Sequence, residues 1–460
     1  MRFVRCIRPI RWIGLSCLAM GAVPAPAADV PPAVDPDLYA LAVAASPARI
    51  EADIRTLVGF GTRNTLSETE SDARGIGAAR RWIEAEFQRI SETCGGCLEV
   101  STQRTRVPGD PETRIRQDVD VVNVIAILRG HTEPERYLIM SGDIDSRASD
   151  STDPLTDAPG ANDNASGMAG VLEAARLLAA RGPRSASVVF AGLSGEEQGL
   201  YGGAQLAARA RAEGWDVTGV LNNDMIGNIA GIDGVVDNSS FRVFSEAIPV
   251  EGYRPEGWNY RRYGGEVDGP SRQLARYVDR ITRTYFTNLE PMMVYRLDRF
   301  GRGGHHRPFN DAGFAAVRIM ETHEHYDRQH QDVRVEDGVA YGDVIEFVDF
   351  THAARLTAVN AVVLAALAAA PPAPGNLRIG GQVRPSTTLA WDPVEHPELA
   401  GYRLYWRDTT AAQWTHTRWI GDVTRFTLEG MVIDNFVFGV AAVGRDGNES
   451  VVAFPTAVLR

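Results

Sequence analysis

Three short segments of this sequence set carboxylates among glycines and asparagines: Gly160-Ala161-Asn162-Asp163-Asn164-Ala165-Ser166-Gly167, Ser194-Gly195-Glu196-Glu197-Gln198-Gly199-Leu200 and Asn222-Asn223-Asp224-Met225-Ile226-Gly227. Any one alone reads equally well as a solvated loop, but three in succession point to a shared centre. Adjacent acids on a glycine-flanked turn, such as Glu196 and Glu197, can divide their labour, one binding a metal ion and the other taking a proton from water. Amide hydrolysis needs that division, a Lewis acid to polarise the carbonyl and a base to deprotonate the nucleophile. A bound divalent ion brings the pKa of water from 15.7 to about 7, so a carboxylate suffices as the base. Nitrogen donors cluster as well: five of the nine histidines lie between His305 and His330.

The elements that must position these residues are legible from hydrophobic patterning. Continuous apolar runs, Val121 to Leu128, Tyr137 to Met140 and Val188 to Leu193, read as buried strands, as does Val220-Leu221. Between them, Ile76 to Ile90 and Gly167 to Ala180 carry apolar residues at helical spacing. Strands alternating with helices imply a three-layer α/β/α sandwich with a mostly parallel central sheet. In such a sheet the carboxyl ends of the strands converge on one edge, where ligands bind. Asp143, Glu196, Glu197 and Asp224 all fall at such ends.

The 460-residue chain is long enough for two or three units, and its net charge of -12 argues against nucleic-acid or anionic-membrane partners. All 47 basic residues are arginine, which removes Schiff-base and phosphate-binding lysines from consideration. Residues 1–28 carry Arg2, Arg5, Arg8 and Arg11, a short apolar run and Ala25-Pro26-Ala27-Ala28, the pattern of a cleaved signal peptide. The expectation is a secreted or periplasmic protein with no membrane span. Cleavage removes Cys6 and Cys17, leaving Cys94 and Cys97 to close a small disulfide loop.

A Pro-rich linker, residues 371–375, ends the first domain (29–370). Residues 376–460 change to short alternating strands and resemble a fibronectin type III module, an all-β sandwich, in Trp391, the Tyr402-to-Trp406 strand and the Phe436-to-Val443 strand. A glycan or a protein is the expected ligand of such a module. Its Trp406, Trp414 and Trp419 read as core more readily than as a sugar platform.

From Ala45 to Ala368 the sequence resembles the M28 family of metallopeptidases, which includes secreted bacterial aminopeptidases and, as a side branch, the glutaminyl cyclases. The resemblance implies two divalent metal ions, zinc foremost, and peptide substrates. It makes Asp163 the carboxylate bridging both ions, Glu196 the general base, Glu197 a ligand of one ion and Asp224 a ligand of the other. The Asp163-Asn164 bond matches one that is often cis in the family.

The sequence departs from the family pattern in two places. Where the family has His-x-Asp this chain has Asp143-Ile144-Asp145, so Asp143 takes the place of a histidine ligand; oxygen-only ligation there would suit manganese, cobalt or calcium. Where the family has Asp-His-x-Pro-Phe this chain has His305-His306-Arg307-Pro308-Phe309, so His305 replaces an aspartate. His330 is the expected last ligand, with His325 and His306 as alternatives, and Tyr326 is the candidate to steady the oxyanion. Trp258, Tyr260 and Tyr263 are candidates for the pocket wall. The implied reaction is hydrolysis of an N-terminal peptide bond by a metal-bridging water with Glu196 as base. Alternatives are a carboxypeptidase or dipeptidase with the same metal pair, a glutaminyl cyclase, or a catalytically degraded binding protein.

Overall fold

The apolar runs form the middle of an eight-stranded sheet. The computed structural model describes residues 30–249 and 260–459; the expected signal segment with Cys6 and Cys17, and Trp258, lie outside these residues. The strands are β1 (Leu98–Val107), β2 (Val119–Leu128), β3 (Glu133–Asp143), β4 (Ala186–Leu193), β5 (Asp216–Asn223), β6 (Ser240–Ser245), β7 (Glu290–Val294) and β8 (Ala316–Glu321), in the order β1-β2-β4-β3-β5-β8-β6-β7. Neighbours in the central set β4-β3-β5-β8 run parallel. The sheet is nonetheless more mixed than expected, since β1 with β2, β2 with β4, and β6 with β8 pair antiparallel.

Two layers of helix explain why the central strands are apolar without alternation. The helices are α1 (Pro36–Ala42), α2 (Pro47–Gly59), α3 (Gly75–Thr93), α4 (Gly167–Ala179), α5 (Glu196–Gly199), α6 (Tyr201–Ala212), α7 (Pro270–Tyr285), α8 (His306–Asp311) and α9 (Phe350–Ala369). In β3, Leu138 and Met140 pack against α1–α4, α7 and α9, while Tyr137 and Ile139 face α6 and α8. That is the period-two alternation of a strand buried on both faces. The longest helix, α9, starts at Asp349, whose side chain accepts the His352 N–H at 2.7 Å. It ends where Arg136 of β3 donates to the carbonyls of Leu367 and Ala370 at 3.1 and 2.7 Å. It is long and apolar enough to cross a bilayer, but it lies buried in the core. Cys94 and Cys97 form a disulfide just beyond α3.

After a short hairpin, β9 (Arg334–Glu336) with β10 (Val339–Tyr341), and then α9, the chain builds a C-terminal β domain. One of its sheets has the order β15-β12-β11-β17, from β11 (Arg378–Gly380), β12 (Ser386–Ala390), β15 (Arg425–Glu429) and β17 (Ala457–Val458). The other, β14-β13-β16, uses β13 (Leu399–Asp408), β14 (His416–Gly421) and β16 (Phe436–Gly444). Their shared core holds Trp391, Tyr402, Leu404 and Phe438.

This domain is tied to α7. Asp268, fully buried, accepts from Arg276 at 2.7 Å and from Arg407 of β13 at 2.9 and 2.7 Å. Trp414 donates to Gln273 at 3.1 Å. Tyr260 stacks on Phe454 and Tyr263 lines a hollow with Phe436 and Phe438, so these two of the expected pocket-wall aromatics belong to this domain contact instead.

Candidate metal centre

The expected carboxylates come from strand ends and from one irregular turn. Asp143 is the last residue of β3, Asp163 sits in the irregular turn Ala161–Ser166 before α4, Glu196 and Glu197 open α5 after β4, and Asp224 follows β5. Backbone strain gathers here: Leu200, Met225 and His330 all adopt the left-handed conformation, with φ of 63°, 61° and 51°, a state that side-chain-bearing residues hold only where the surroundings impose it.

Hydrogen bonds aim the carboxylates. Asp343 accepts the N–H groups of Asn162 and Asp163 at 2.9 and 2.6 Å. Asn164 donates to Asp143 and to the Asn223 carbonyl, both at 2.7 Å, and accepts from Gly167 and Met225. Asn162 accepts the Gly227 N–H at 2.8 Å and donates to Glu321. The asparagines on either side of Asp163 therefore staple its turn to the loop carrying Asp224, and the Asp163-Asn164 peptide is cis. Asp145 accepts the N–H groups of Glu196 and Glu197 at 3.2 and 3.0 Å, fixing that turn from below.

Three of the expected ligands meet. His330 Nε2 lies 3.0 Å from Asp163 Oδ2 and 3.0 Å from Glu197 Oε1. Their three ligand atoms fall within 4.8 Å of one another, the only such group among the described residues. One imidazole nitrogen with two carboxylate oxygens is a zinc-type donor set that leaves a position open. The point they surround favours positive charge: burial works against charge on His330, but Glu197 and Asp163 carry its pKa up to about 10. Burial would likewise raise Asp163, yet the His330 hydrogen bond holds it well below the usual carboxylate range.

Glu196 stands beside this group without joining it. Burial first, then the charges of Glu197, Asp224, Asp143 and Asp163, push its pKa well up, so it takes a proton readily. It lines a cavity of about 830 Å³ together with Asp163, Glu197, Asp224 and His330. The walls are rich in cations: Arg114, Arg116, Arg147, Arg299, Arg302 and Arg307. Arg299 and Arg302 are held by Glu324 at 2.9 and 3.0 Å, and Arg114 donates to the Glu197 carbonyl at 2.6 Å.

The other two expected ligands are engaged elsewhere. Asp143 Oδ1 is 2.5 Å from His305 Nδ1 and its Oδ2 accepts from Asn164. The two departures from the family pattern therefore meet in space, an aspartate at 143 and a histidine at 305. Burial pushes the Asp143 carboxyl up and the His305 imidazole down, so the site favours the uncharged form of each. Asp224 Oδ2 lies 2.8 Å from Arg318 Nη2, a close ion pair off the hydrogen-bonding axis. The residues thus fit one divalent ion on Asp163, Glu197 and His330, and do not offer Asp143 and Asp224 freely to a second.

Among the remaining candidates, Tyr326 is 56% exposed and outside the cavity lining, so the expected oxyanion role is not supported by its position. The alternative ligands are placed away too: His306 Nε2 bonds the Leu297 carbonyl at 2.8 Å, and His325 lies with Asn162 and Phe347 in a separate small hollow. Arg318, Asp343 and the asparagine staples were not anticipated. Asn162 and Asn164 stood within a motif already singled out, whereas nothing near Arg318 or Asp343 in sequence marks them.

Residues 123–346 match the sequence pattern of peptidase family M28. A probable zinc metalloprotease of Leptosphaeria maculans is 42% identical over 93% of this chain and 98% of its own length. One from Pyricularia oryzae is 42% identical over 92% of this chain and 84% of its own. In structure the chain is similar to the LapA aminopeptidase of Legionella pneumophila, with a TM-score of 0.53 at 16% identity over 74% of this chain and 77% of that one.

Proposed function

Because the chain belongs to peptidase family M28, we propose that it is an exported zinc exopeptidase that removes N-terminal residues from peptides, with Asp163, Glu197 and His330 holding the metal and Glu196 as general base. The observation that carries the reading is the convergence of those three ligand atoms within 4.8 Å beside a fourth carboxylate left over for proton transfer. A zinc ion held there polarises the scissile carbonyl and lowers the pKa of water. Glu196 removes a proton from water as the oxygen attacks the carbonyl carbon. It returns that proton to the amine nitrogen as the C–N bond breaks. Asp145 and Asp343 keep the two acidic turns in register throughout. Exhaustive chelation should abolish hydrolysis of aminoacyl-nitroanilides and added zinc should restore it; hydrolysis that survives chelation would refute the proposal.

A second reading, a carboxypeptidase or dipeptidase with the same centre, is favoured by the arginines of the cavity wall. Arg116 and Arg307 have no carboxylate ion pair among the described residues, and both face the cavity, where a substrate carboxylate would complete them. Matched peptides with the amino end acylated or the carboxyl end amidated separate the two. An aminopeptidase loses the acylated substrate, a carboxypeptidase the amidated one, and a dipeptidase both.

A further inference from the structure

Arg318 is an unusual occupant of its strand. It sits in the middle of β8, between apolar residues of the parallel core, and its side chain is fully buried. A guanidinium is not left in such a place without partners. Nη1 donates to the Gly303 carbonyl at 2.7 Å and lies 3.2 Å from each oxygen of Asp298, while Nη2 lies 2.8 Å from Asp224. Gly304 leaves just enough room: a Cβ there would come within 3.1 Å of Nη1. On the far side, both oxygens of Asp143 are occupied, one by His305 and one by Asn164. Beyond Asp163, Glu197 and His330, no other three ligand atoms among the described residues gather within 4.8 Å.

Resting on the reading of this centre as metal-binding, we infer that it is mononuclear: one divalent ion sits on Asp163, Glu197 and His330, and the Arg318 guanidinium permanently supplies, at Asp224, the positive charge that a second ion would bring. Arginine is charged at every working pH, so this charge is neither titrated nor chelated away. A second dication at Asp224 would have to displace a guanidinium anchored by Asp298 and Gly303, or sit against it and be repelled. It would also have to break the His305 and Asn164 contacts to recruit Asp143.

The test is metal stoichiometry on the full chain, independent of turnover. Protein stripped by chelation is reloaded with zinc, freed of unbound metal and assayed by elemental analysis, with a parallel cobalt titration followed by visible absorbance. One equivalent per chain and a cobalt signal that saturates at one equivalent are expected. Two tightly held equivalents would overturn the inference while leaving the metallopeptidase reading intact, whereas a chain that binds no zinc would overturn both. Asp224→Asn should keep its one equivalent, and Asp163→Asn should lose at least tenfold in zinc affinity. Loss of metal from Asp224→Asn would place Asp224 in the ligand set and refute the single-ion centre. Arg318→Met, if soluble, frees Asp224 but leaves Asp143 engaged, so it should show a second, weaker phase of cobalt binding after the first equivalent; a soluble variant with no second phase would show that the arginine is not what excludes the second ion.

Discussion

A carboxylate set against a ligand cluster but outside it has proton transfer as its remaining task. Glu196 is that group, and Glu196→Gln keeps its size while removing its basicity. The expected loss in kcat is about 10²–10⁴-fold, the usual worth of a general base, with zinc content unchanged by elemental analysis. A variant that loses its zinc would make Glu196 a ligand instead. At this scale the acidic motifs holding Asp163 and Glu197 were readable from residue type and glycine-flanked turns, while the ligand roles of Asp163 and His330 came only from the resemblance to the family pattern. Arg318 was readable from neither. Within Ala316–Glu321 it is one of two charged residues in a buried strand, and its partner Asp224 lies 94 positions earlier in the chain. Only folding brings the two together. The His305–Asp143 contact spans a longer gap, 162 positions, so each residue reads singly as a loss when the two form a pair.

The turns and strand ends are where precision is set. Asp343 comes from the loop after β10 yet accepts both N–H groups at the head of the Asp163 turn. Asp343→Ala should weaken zinc binding by about 10–100-fold, the effect typical of losing a supporting contact to a ligand, as measured by competition with a chromophoric chelator. Glu324 links β6, through Arg242, to the arginines at 299 and 302. Burial opposes its ionisation, but Arg299 and Arg242 bring its pKa down to about 2. A depressed carboxylate stabilises the fold above its unfolded pKa, near 4.5, and loses that contribution as pH falls toward 2. Glu324→Gln should therefore be less stable than the parent at pH 7, by on the order of 3 kcal/mol. Urea melts at stepped pH should show that gap narrowing below about pH 4.5.

Elements differ in legibility for a physical reason. β4, buried at every position, reads directly as an apolar run, as do the amphipathic stripe of α3 and the helical spacing of apolar residues in α4. Edge strand β1, Leu98-Glu99-Val100-Ser101-Thr102-Gln103-Arg104-Thr105-Arg106-Val107, is buried only at its two ends and carries no such signal. Its place is decided by its antiparallel register against β2.

For the molecule as a whole, the decisive contact is remote from the chemistry. Asp268 lies between Arg276 of α7 and Arg407 of the β domain. Removing one member of a buried ionic group costs about 3–5 kcal/mol, because the others stay buried without their partner. Asp268→Ala should therefore lower the melting temperature, and calorimetry should record both domains melting in one transition. Two resolved transitions would mean that the domains are energetically separate. The proline-rich stretch at 371–375 invites a scalpel, but the seam is not there. A peptidase half expressed alone would carry a carboxylate stripped of one of its two arginines and a Gln273 amide that has lost its Trp414 partner, and would be expected in the insoluble fraction. Anyone seeking a smaller catalyst from this chain should plan on keeping its tail.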